Sequence, residues 1–392
     1  MPIALLALTL SAFAIGTTEF VIVGLLPTIA QDLHVSLPSA GLLVSLYAFG
    51  VAIGAPVLTA LTNRWNRKSV LLSLMGLFII GNLLAWKAPG YSSLIVARIL
   101  TGLAHGVFFS IGSTIATSLV AKEKEASAIA IMFTGLTVAL VTGVPLGTWI
   151  GQMLGWRATF MVVSILGVIA LAGSAMLVPR NLKQAAPARI RDQLQVLTHP
   201  RLLLVYAMTA AGYGGTFAAF TYIAPILEQV SGFQSNAVSL VMLVYGVSVA
   251  VGNIWGGKLA DRKGPVHALT VIYGMLALIL FVFTFTAGHP VTAVLTVLVW
   301  GGFAFGNVPG LQVYVVKLAT KYTPKAVDVA SGLNIAAFNI GIAVGSIIGG
   351  HVVSDMTLMD TPWIGALIVI FALSLTRLSG WPDNKPTQTS FS

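Results

Sequence analysis

The sequence predicts an all-α membrane protein, with twelve transmembrane helices in two six-helix bundles and both termini cytoplasmic. Three observations carry this. First, 57% of the 392 residues are hydrophobic and only 8% are charged, against about 25% charged in soluble domains. Such a chain cannot coat a water-facing surface with polar side chains and needs lipid around it. Second, the apolar residues fall into twelve runs, each close to the roughly 20 residues that cross the hydrocarbon as a helix. Third, the basic residues alternate between the gaps as an even number of spans requires.

In chain order the runs cover 4–28, 38–61, 70–87, 92–120, 126–151, 158–178, 201–228, 237–260, 267–286, 292–319, 327–352 and 362–378. Breakers stand at the turns: Pro38, Pro89-Gly90, Gly288-His289-Pro290, Pro324 and Pro362. Of the 21 Lys and Arg residues, eighteen lie in alternate gaps and the two tails. Only Lys87 and Arg157 lie in the opposite gaps, and Arg98 lies within a run. The basic-rich side is the cytoplasm by the positive-inside rule. The longest polar gap, 179–200, sits near the midpoint and contains Arg180, Lys183, Arg189 and Arg191. It reads as a cytoplasmic linker between an N-terminal bundle (1–178) and a C-terminal bundle with a short tail (201–392). Its charge suits anionic lipid and water.

Several function classes are excluded or disfavoured. The net charge of +10 is spread through short gaps, with no basic domain or stripe for nucleic acid. Cysteine is absent, so thiol metal sites and disulfides are too. The N-terminal run has no basic n-region and contains Glu19 and Pro27, so it reads as a retained first span and not a signal peptide. His34, His199, His267, His289 and His351 are scattered at span ends, and no nucleophile–base pair or metal cluster is visible. An enzyme is not expected, nor a cofactor or metal. The segment Gly252 to Lys258 has most of a Walker A spacing, but Leu259 follows where Ser or Thr is needed, and the segment is a membrane span.

Shifting the sequence by 198 residues superposes parts of the halves. Tyr47 falls on Tyr245, Gly54 on Gly252, Arg64 on Arg262 and Pro27 on Pro225. Gly143, Gly147 and Gly151 fall on Gly341, Gly345 and Gly349, glycines on one helix face that let helices approach closely.

The gap after the eighth run reads Gly257-Lys258-Leu259-Ala260-Asp261-Arg262-Lys263-Gly264. It resembles the signature loop of the major facilitator superfamily, Gly-x-Leu-Ala-Asp-Arg-x-Gly. The resemblance implies a charge latch on the cytoplasmic face, with Asp261 near a helix N-terminus and paired to neighbouring Arg or Lys. The first-half counterpart departs from the pattern: Asn63, beside Arg64, replaces the Asp, and Asn66 replaces the Gly. Arg98 to Gly102 resembles the family's Arg-x-x-x-Gly motif, and Gly143-Val144-Pro145-Leu146-Gly147 its Gly-x-Pro-x-Gly antiporter motif, a mark of exporters. Thr17-Thr18-Glu19-Phe20 with Gly24 to Pro27 resembles the sugar (arabinose-type) and purine-nucleoside efflux branch of the twelve-span drug:proton antiporters.

Glu19, Arg98 and His105 are the ionisable side chains deep inside the runs. Each is costly in hydrocarbon unless paired or hydrated. On a rise of 1.5 Å per residue they lie about 13, 10 and 20 Å from the outer ends of their spans. Arg98 and His105 share one helix face. A Glu19–Arg98 pair is expected, with His105 nearby. Burial disfavours an ionised carboxyl and a guanidinium favours it, so a change in hydration moves such a group between its two states. That is the chemistry of proton exchange; the bland alternative is a pair that only fixes packing. At the repeat offset Glu19 falls on Phe217, so the acid exists in one half only. The other half offers aromatic and amide groups as a candidate substrate cavity: Tyr213, Phe217, Tyr222, Trp300, Phe303, Asn307, Gln312, Asn334, Phe338 and Asn339.

The reading is a proton-coupled exporter of small organic molecules such as sugars, nucleosides or drugs, working by alternating access. Protons, a small substrate and the bilayer are its partners; it is a monomer of the bacterial inner membrane. An uptake symporter on the same fold and a transport-inactive membrane sensor are the rivals.

Overall fold

The computed structural model describes residues 2–62, 65–121, 124–180, 182 and 195–380. Its elements are α1 (Ala4–Asp32), α2 (Leu37–Leu61), α3 (Arg67–Lys87), α4 (Tyr91–Ser118), α5 (Glu125–Val138), a π-helical turn (Ala139–Gly143), α6 (Val144–Leu154) and α7 (Trp156–Leu177). The second half holds α8 (Pro200–Phe220), α9 (Ile223–Gln229), α10 (Ser235–Lys263), α11 (Pro265–Thr286), α12 (Pro290–Tyr322), α13 (Val327–Asp355) and α14 (Asp360–Gly380). Twelve spans are long and apolar enough to cross a membrane. All twelve expected runs are present, and most extend a few residues further because capping residues lie outside the apolar core. Asn66 caps α3 through its side chain, accepting from the backbone N–H groups of Lys68 and Ser69. The linker 179–200 lies largely outside the described residues.

Two spans are not the uniform helices the sequence reading expected. The fifth is α5, the π turn and α6 in series, with the Val144 N–H reaching back to the Ala139 carbonyl. Pro145 lacks the N–H that an α-helix needs at that point, so the preceding turn widens. The seventh breaks between α8 and α9; Pro225 leaves the Thr221 carbonyl without its helical donor, and the Thr221 side chain ties the break to α13 through a hydroxyl–hydroxyl hydrogen bond of 2.7 Å with Ser346.

Within each half, helices pack through glycine. The Gly102 and Gly54 positions bring α2 and α4 into backbone contact at Tyr47 and Leu103. Gly252, Gly256 and Gly301 do the same for α10 and α12, at Gly302, Gly306 and Tyr245. Gly143, Gly147 and Gly151 face α1 at Thr17, Val21 and Leu25, as Gly341, Gly345 and Gly349 face α8 at Ala210, Gly214 and Ala218. The repeat read from sequence is therefore a repeat of helix contacts. A Cβ on Gly256 would be driven into the Gly306 carbonyl, a backbone atom that cannot swing away. Gly256→Ala is expected to cost about 1–3 kcal/mol, as overpacking does. A clear drop in the thermal unfolding midpoint of detergent-purified protein checks this; an unchanged midpoint means α10 and α12 slide apart at little cost.

The two halves meet along α2 against α13, and along α10 against α6 and the π turn, where Gly246 abuts the Leu140 carbonyl. The end with the α1–α2 turn, expected outside from the basic residues, is called the outer end below. On the α2–α13 seam, Ser45, Ala48, Ala343 and Ser346 are fully buried. Towards the inner end Ala55, Val329 and Gly332 are half-buried and Pro56 is exposed. The halves are thus closed at the outer end and part towards the inner one.

The signature segment differs from expectation. α10 continues to Lys263, so Gly257 to Lys263 is helix and Asp261 occupies its last turn, at the negative end of the helix dipole. Gly264 then reverses the chain with φ 82°, a conformation that suits glycine, and Pro265 opens α11. Asp261 and Arg262 are exposed, and Asp261 forms no ion pair among the described residues. Among the described residues no latch is formed in this conformation, in which the inner ends stand apart. Asn63 and Arg64 lie outside the described residues.

Candidate functional site

Glu19, Arg98 and His105 converge at mid-depth in the N-terminal half, all buried. Their arrangement corrects the expected pair. The Arg98 guanidinium does not bind the Glu19 carboxylate; its hydrogen bonds go to backbone. Nη1 donates to the Thr18 carbonyl at 2.7 Å, Nη2 to the Glu19 carbonyl at 3.4 Å and Nε to the Leu43 carbonyl at 3.2 Å. Its plane lies over the Tyr47 ring, 4.1 Å from the centroid. One side chain of α4 thereby ties together α1 and α2.

The Glu19 carboxylate faces His105 instead, with Oε2 3.8 Å from Nδ1. The Tyr47 hydroxyl is 3.0 Å from that same ring nitrogen. In a neutral imidazole with a bare Nδ1, that atom accepts from Tyr47 and offers nothing to the carboxylate. Once Nδ1 carries a proton it donates to the Tyr47 hydroxyl, and a charged imidazolium has the Glu19 carboxylate at ion-pair distance, 3.8 Å. A proton arriving at this cluster therefore changes which groups are bonded. Thr18 supports the site from behind, donating to the Asn82 Oδ1 at 2.7 Å. Tyr47 and Asn82 were not among the residues singled out from sequence. Neither carries charge, but Asn82 is a polar residue in an apolar run, which is the signal that identifies it.

The equivalent place in the C-terminal half holds no ionisable counterpart of Arg98 or His105. Gly301 meets the Tyr245 carbonyl as Gly102 meets that of Tyr47, which sets Val297 opposite Arg98 and Ala304 opposite His105. At the repeat offset of 198 residues Phe217 falls on Glu19. Tyr245 and Phe220 stack at 4.6 Å, and Trp300 packs edge-on to both within 6.1 Å.

The expected cavity residues are divided. Tyr213, Phe217 and Phe338 gather with Phe305 into one aromatic cluster, Tyr213 lying 4.5 Å from Phe338 and 5.7 Å from Phe305. Phe20, the neighbour of Glu19, reaches across from the first half to Phe217 and Phe305 at 6.3 and 5.9 Å. Phe20 and Phe305 were not anticipated; aromatic residues in apolar runs carry no sequence mark of the face they occupy. Gln312, Asn334 and Thr209 form a satisfied chain: Asn334 donates to Gln312 at 2.9 Å and Thr209 to Asn334 at 2.7 Å. Asn307 and Asn339 each donate to a carbonyl of their own helix. Trp300 is fully buried and reaches the cluster through Phe220, which packs edge-on to Phe217 at 5.3 Å, and Phe303 packs on Trp255.

Tyr222 has a different place from the one expected. It sits at the outer end, fully buried, its hydroxyl donating to the Ser346 carbonyl at 3.3 Å. It fills a socket made by Gly41 of α2 and Gly350 of α13. A side chain at Gly41 would collide with the Tyr222 hydroxyl. Gly41→Val is therefore expected to hold the outer end open, and Gly41→Val with Tyr222→Ala to let it close again. A cysteine introduced at Ser45, fully buried on the α2–α13 seam, and labelled by a membrane-impermeant maleimide reports this: labelling faster in the single variant and restored in the double. Equal rates in both mean Tyr222 is no part of the closure.

The antiporter-motif residues also contribute to structure. Gly143 and Gly147 seat the fifth span on α1 around Thr17 and Val21, directly beside Glu19, and Pro145 accounts for the π turn.

Comparison with known proteins agrees with this architecture. The profile of the Major Facilitator Superfamily matches residues 8–323. The uncharacterized MFS-type transporter YtbD of Bacillus subtilis (strain 168) is 53% identical over 378 residues, covering 96% of this chain and 94% of that one. The inner membrane transport protein YdhP of Escherichia coli (strain K12) is 40% identical over 378 residues, 96% of this chain and 95% of that one. A chloramphenicol resistance protein of Streptomyces lividans is 32% identical over 377 residues, 95% of each. Among solved structures, a bacterial homolog of the human lysosomal transporter Spinster, in an inward-facing and unoccupied conformation, superposes with a TM-score of 0.76 at 15% identity, covering 96% of each chain.

Proposed function

The chain belongs to the Major Facilitator Superfamily, and on that premise we propose that it is a proton-coupled exporter of small organic molecules in the bacterial inner membrane, working by alternating access. The observation that carries the reading is the buried cluster of Glu19, His105 and Tyr47. A carboxyl, an imidazole and a phenol held together in the middle of a membrane protein are costly to fold, and their shared ring nitrogen gives two bonding patterns selected by one proton. Phe20 joins that cluster to the aromatic wall of Tyr213, Phe217, Phe305 and Phe338. A substrate against this wall and a proton on Glu19 act on the same stretch of α1, which supports competition between them, the requirement of an antiporter. The two halves, 1–178 and 201–392, rock about the seams described above, with the parted end facing the cytoplasm. The resemblance of the chain to a chloramphenicol resistance protein and the antiporter motif Gly143 to Gly147 support export of drug-like or sugar-like molecules.

Everted membrane vesicles test this. Respiration acidifies their lumen, and an acid-sensitive dye reports it. Compounds are added from the cytoplasmic face, beginning with chloramphenicol, nucleosides and pentoses. An exchanger collapses the gradient on addition of its substrate and accumulates that substrate in the lumen. A symporter, which needs its substrate on the luminal side, leaves the gradient intact when substrate is added outside and, once preloaded, expels the substrate together with protons and lowers the gradient; that result replaces export with uptake. No response in either direction across compounds that a deletion strain fails to tolerate supports a transport-inactive role.

A further inference from the structure

A second site lies on the lipid-facing surface of α3 and α7. α3 and α7 pack side by side and leave between them an apolar groove of about 370 Å³, lined among others by Ile79, Leu83, Trp86, Ile165 and Val168. The groove runs from Trp86 to Ile79, seven residues of α3, or about 10 Å at the helical rise. It fits within one leaflet of a hydrocarbon core about 30 Å thick, so it is cut for a chain entering from one interface and does not span. Trp86 marks the outer interface, where amphipathic rings settle.

The mouth of this groove breaks the charge pattern of the rest of the chain. The outer gaps contain two basic residues, Lys87 and Arg157, and the fold brings both to this point. Arg157 Nε and Nη2 donate to the carbonyl of Ala88, the residue after Lys87, at 3.1 and 2.9 Å. Its Nη1 is held by Asp32 at 2.6 Å, so its charge is already matched. Lys87 is exposed and pairs with no carboxylate among the described residues; its ammonium rests 4.0 Å from the centroid of the Trp86 ring. An unmatched cation stands at the interface above a concave apolar track.

We propose that this groove is a binding site for a phospholipid of the outer leaflet, with one acyl chain along Leu83, Ile165 and Val168 and the phosphate at Lys87. Charge complementarity and the one-leaflet length single out a phospholipid over an apolar solute, which has no use for the ammonium, and over a protein helix, which would need the full span.

Native mass spectrometry of protein extracted in mild detergent tests this. The wild type is expected to retain one phospholipid as a discrete mass adduct. Leu83→Trp, which fills the groove, and Lys87→Glu, which repels a phosphate, are expected to lose it, while Leu278→Trp, on the lipid-facing surface of α11, keeps it. Added phosphatidylglycerol raises the unfolding midpoint of the delipidated wild type and not that of Leu83→Trp. Equal adducts in all four proteins, or none in the wild type, overturn the proposal. So does unaltered lipid retention in Leu83→Trp together with a raised KM for transport, which makes the groove a substrate entry path.

Discussion

Glu19→Gln is expected to abolish substrate-driven proton movement, to below a hundredth of the wild-type rate, while leaving membrane insertion and the unfolding midpoint nearly unchanged. The amide keeps the shape of the carboxyl and can still contact His105 Nδ1, now 3.8 Å from Oε2, but it cannot take up or release a proton. Since none of the three hydrogen bonds of Arg98 goes to the Glu19 side chain, the substitution leaves that clamp untouched. Downhill movement of substrate, with no gradient to work against, is expected to survive in part. The measurement is proton flux in proteoliposomes beside counterflow of labelled substrate. Flux that persists at the wild-type rate moves the coupling site elsewhere; loss of both activities together with a lowered midpoint makes Glu19 a packing residue.

Arg98→Ala is expected to act on the fold before it acts on the chemistry. It removes the donors that hold three backbone carbonyls, on Thr18, Glu19 and Leu43, and it opens a void over the Tyr47 ring. Hydrogen bonds from a charged donor are worth about 1.5–3 kcal/mol each, and the stranded acceptors add their own cost. A loss of several kcal/mol is a large part of the stability of most domains, so poor membrane yield and an unfolding midpoint lowered by ten degrees or more are expected. Arg98→Lys falls between, because one ammonium on a flexible stem reaches fewer of the carbonyls than a planar fork. Thermal unfolding in detergent, read beside transport, distinguishes the roles: a stable but inactive Arg98→Ala protein points to direct participation in exchange and not to clamping.

The division between what sequence shows and what it hides follows from physics. Span number and orientation are legible because hydrocarbon thickness and the charge bias of the two sides constrain long stretches of residues at once. The buried cluster is legible for a related reason: an ionisable residue in an apolar run is too costly to be accidental. What Arg98 binds is not legible. Depth along the span placed it level with Glu19, but depth says nothing about azimuth, and backbone carbonyls, present at every residue, leave no trace in the sequence. Tyr222 illustrates the same limit. Its ring reads as any aromatic residue in an apolar run until the break at Pro225 turns it into the Gly41 and Gly350 socket. The expected ion pair at Asp261 failed because the motif fixes residue types and not the conformational state in which they meet.

The inequality of the two halves has a consequence for how this chain can change over time. The polar cluster hangs on Glu19, Tyr47, Arg98 and His105, where few substitutions keep both the bonding and the fold. The facing wall is built from interchangeable rings, Tyr213, Phe217, Phe305 and Phe338, which touch one another through apolar edges and faces. On the proposed function, swapping one ring for another there alters the shape presented to substrate while Glu19, Tyr47, Arg98 and His105 stay in place. Selection for a new substrate then finds its variation in the C-terminal half, and related proteins that share the first half closely can diverge in what they transport.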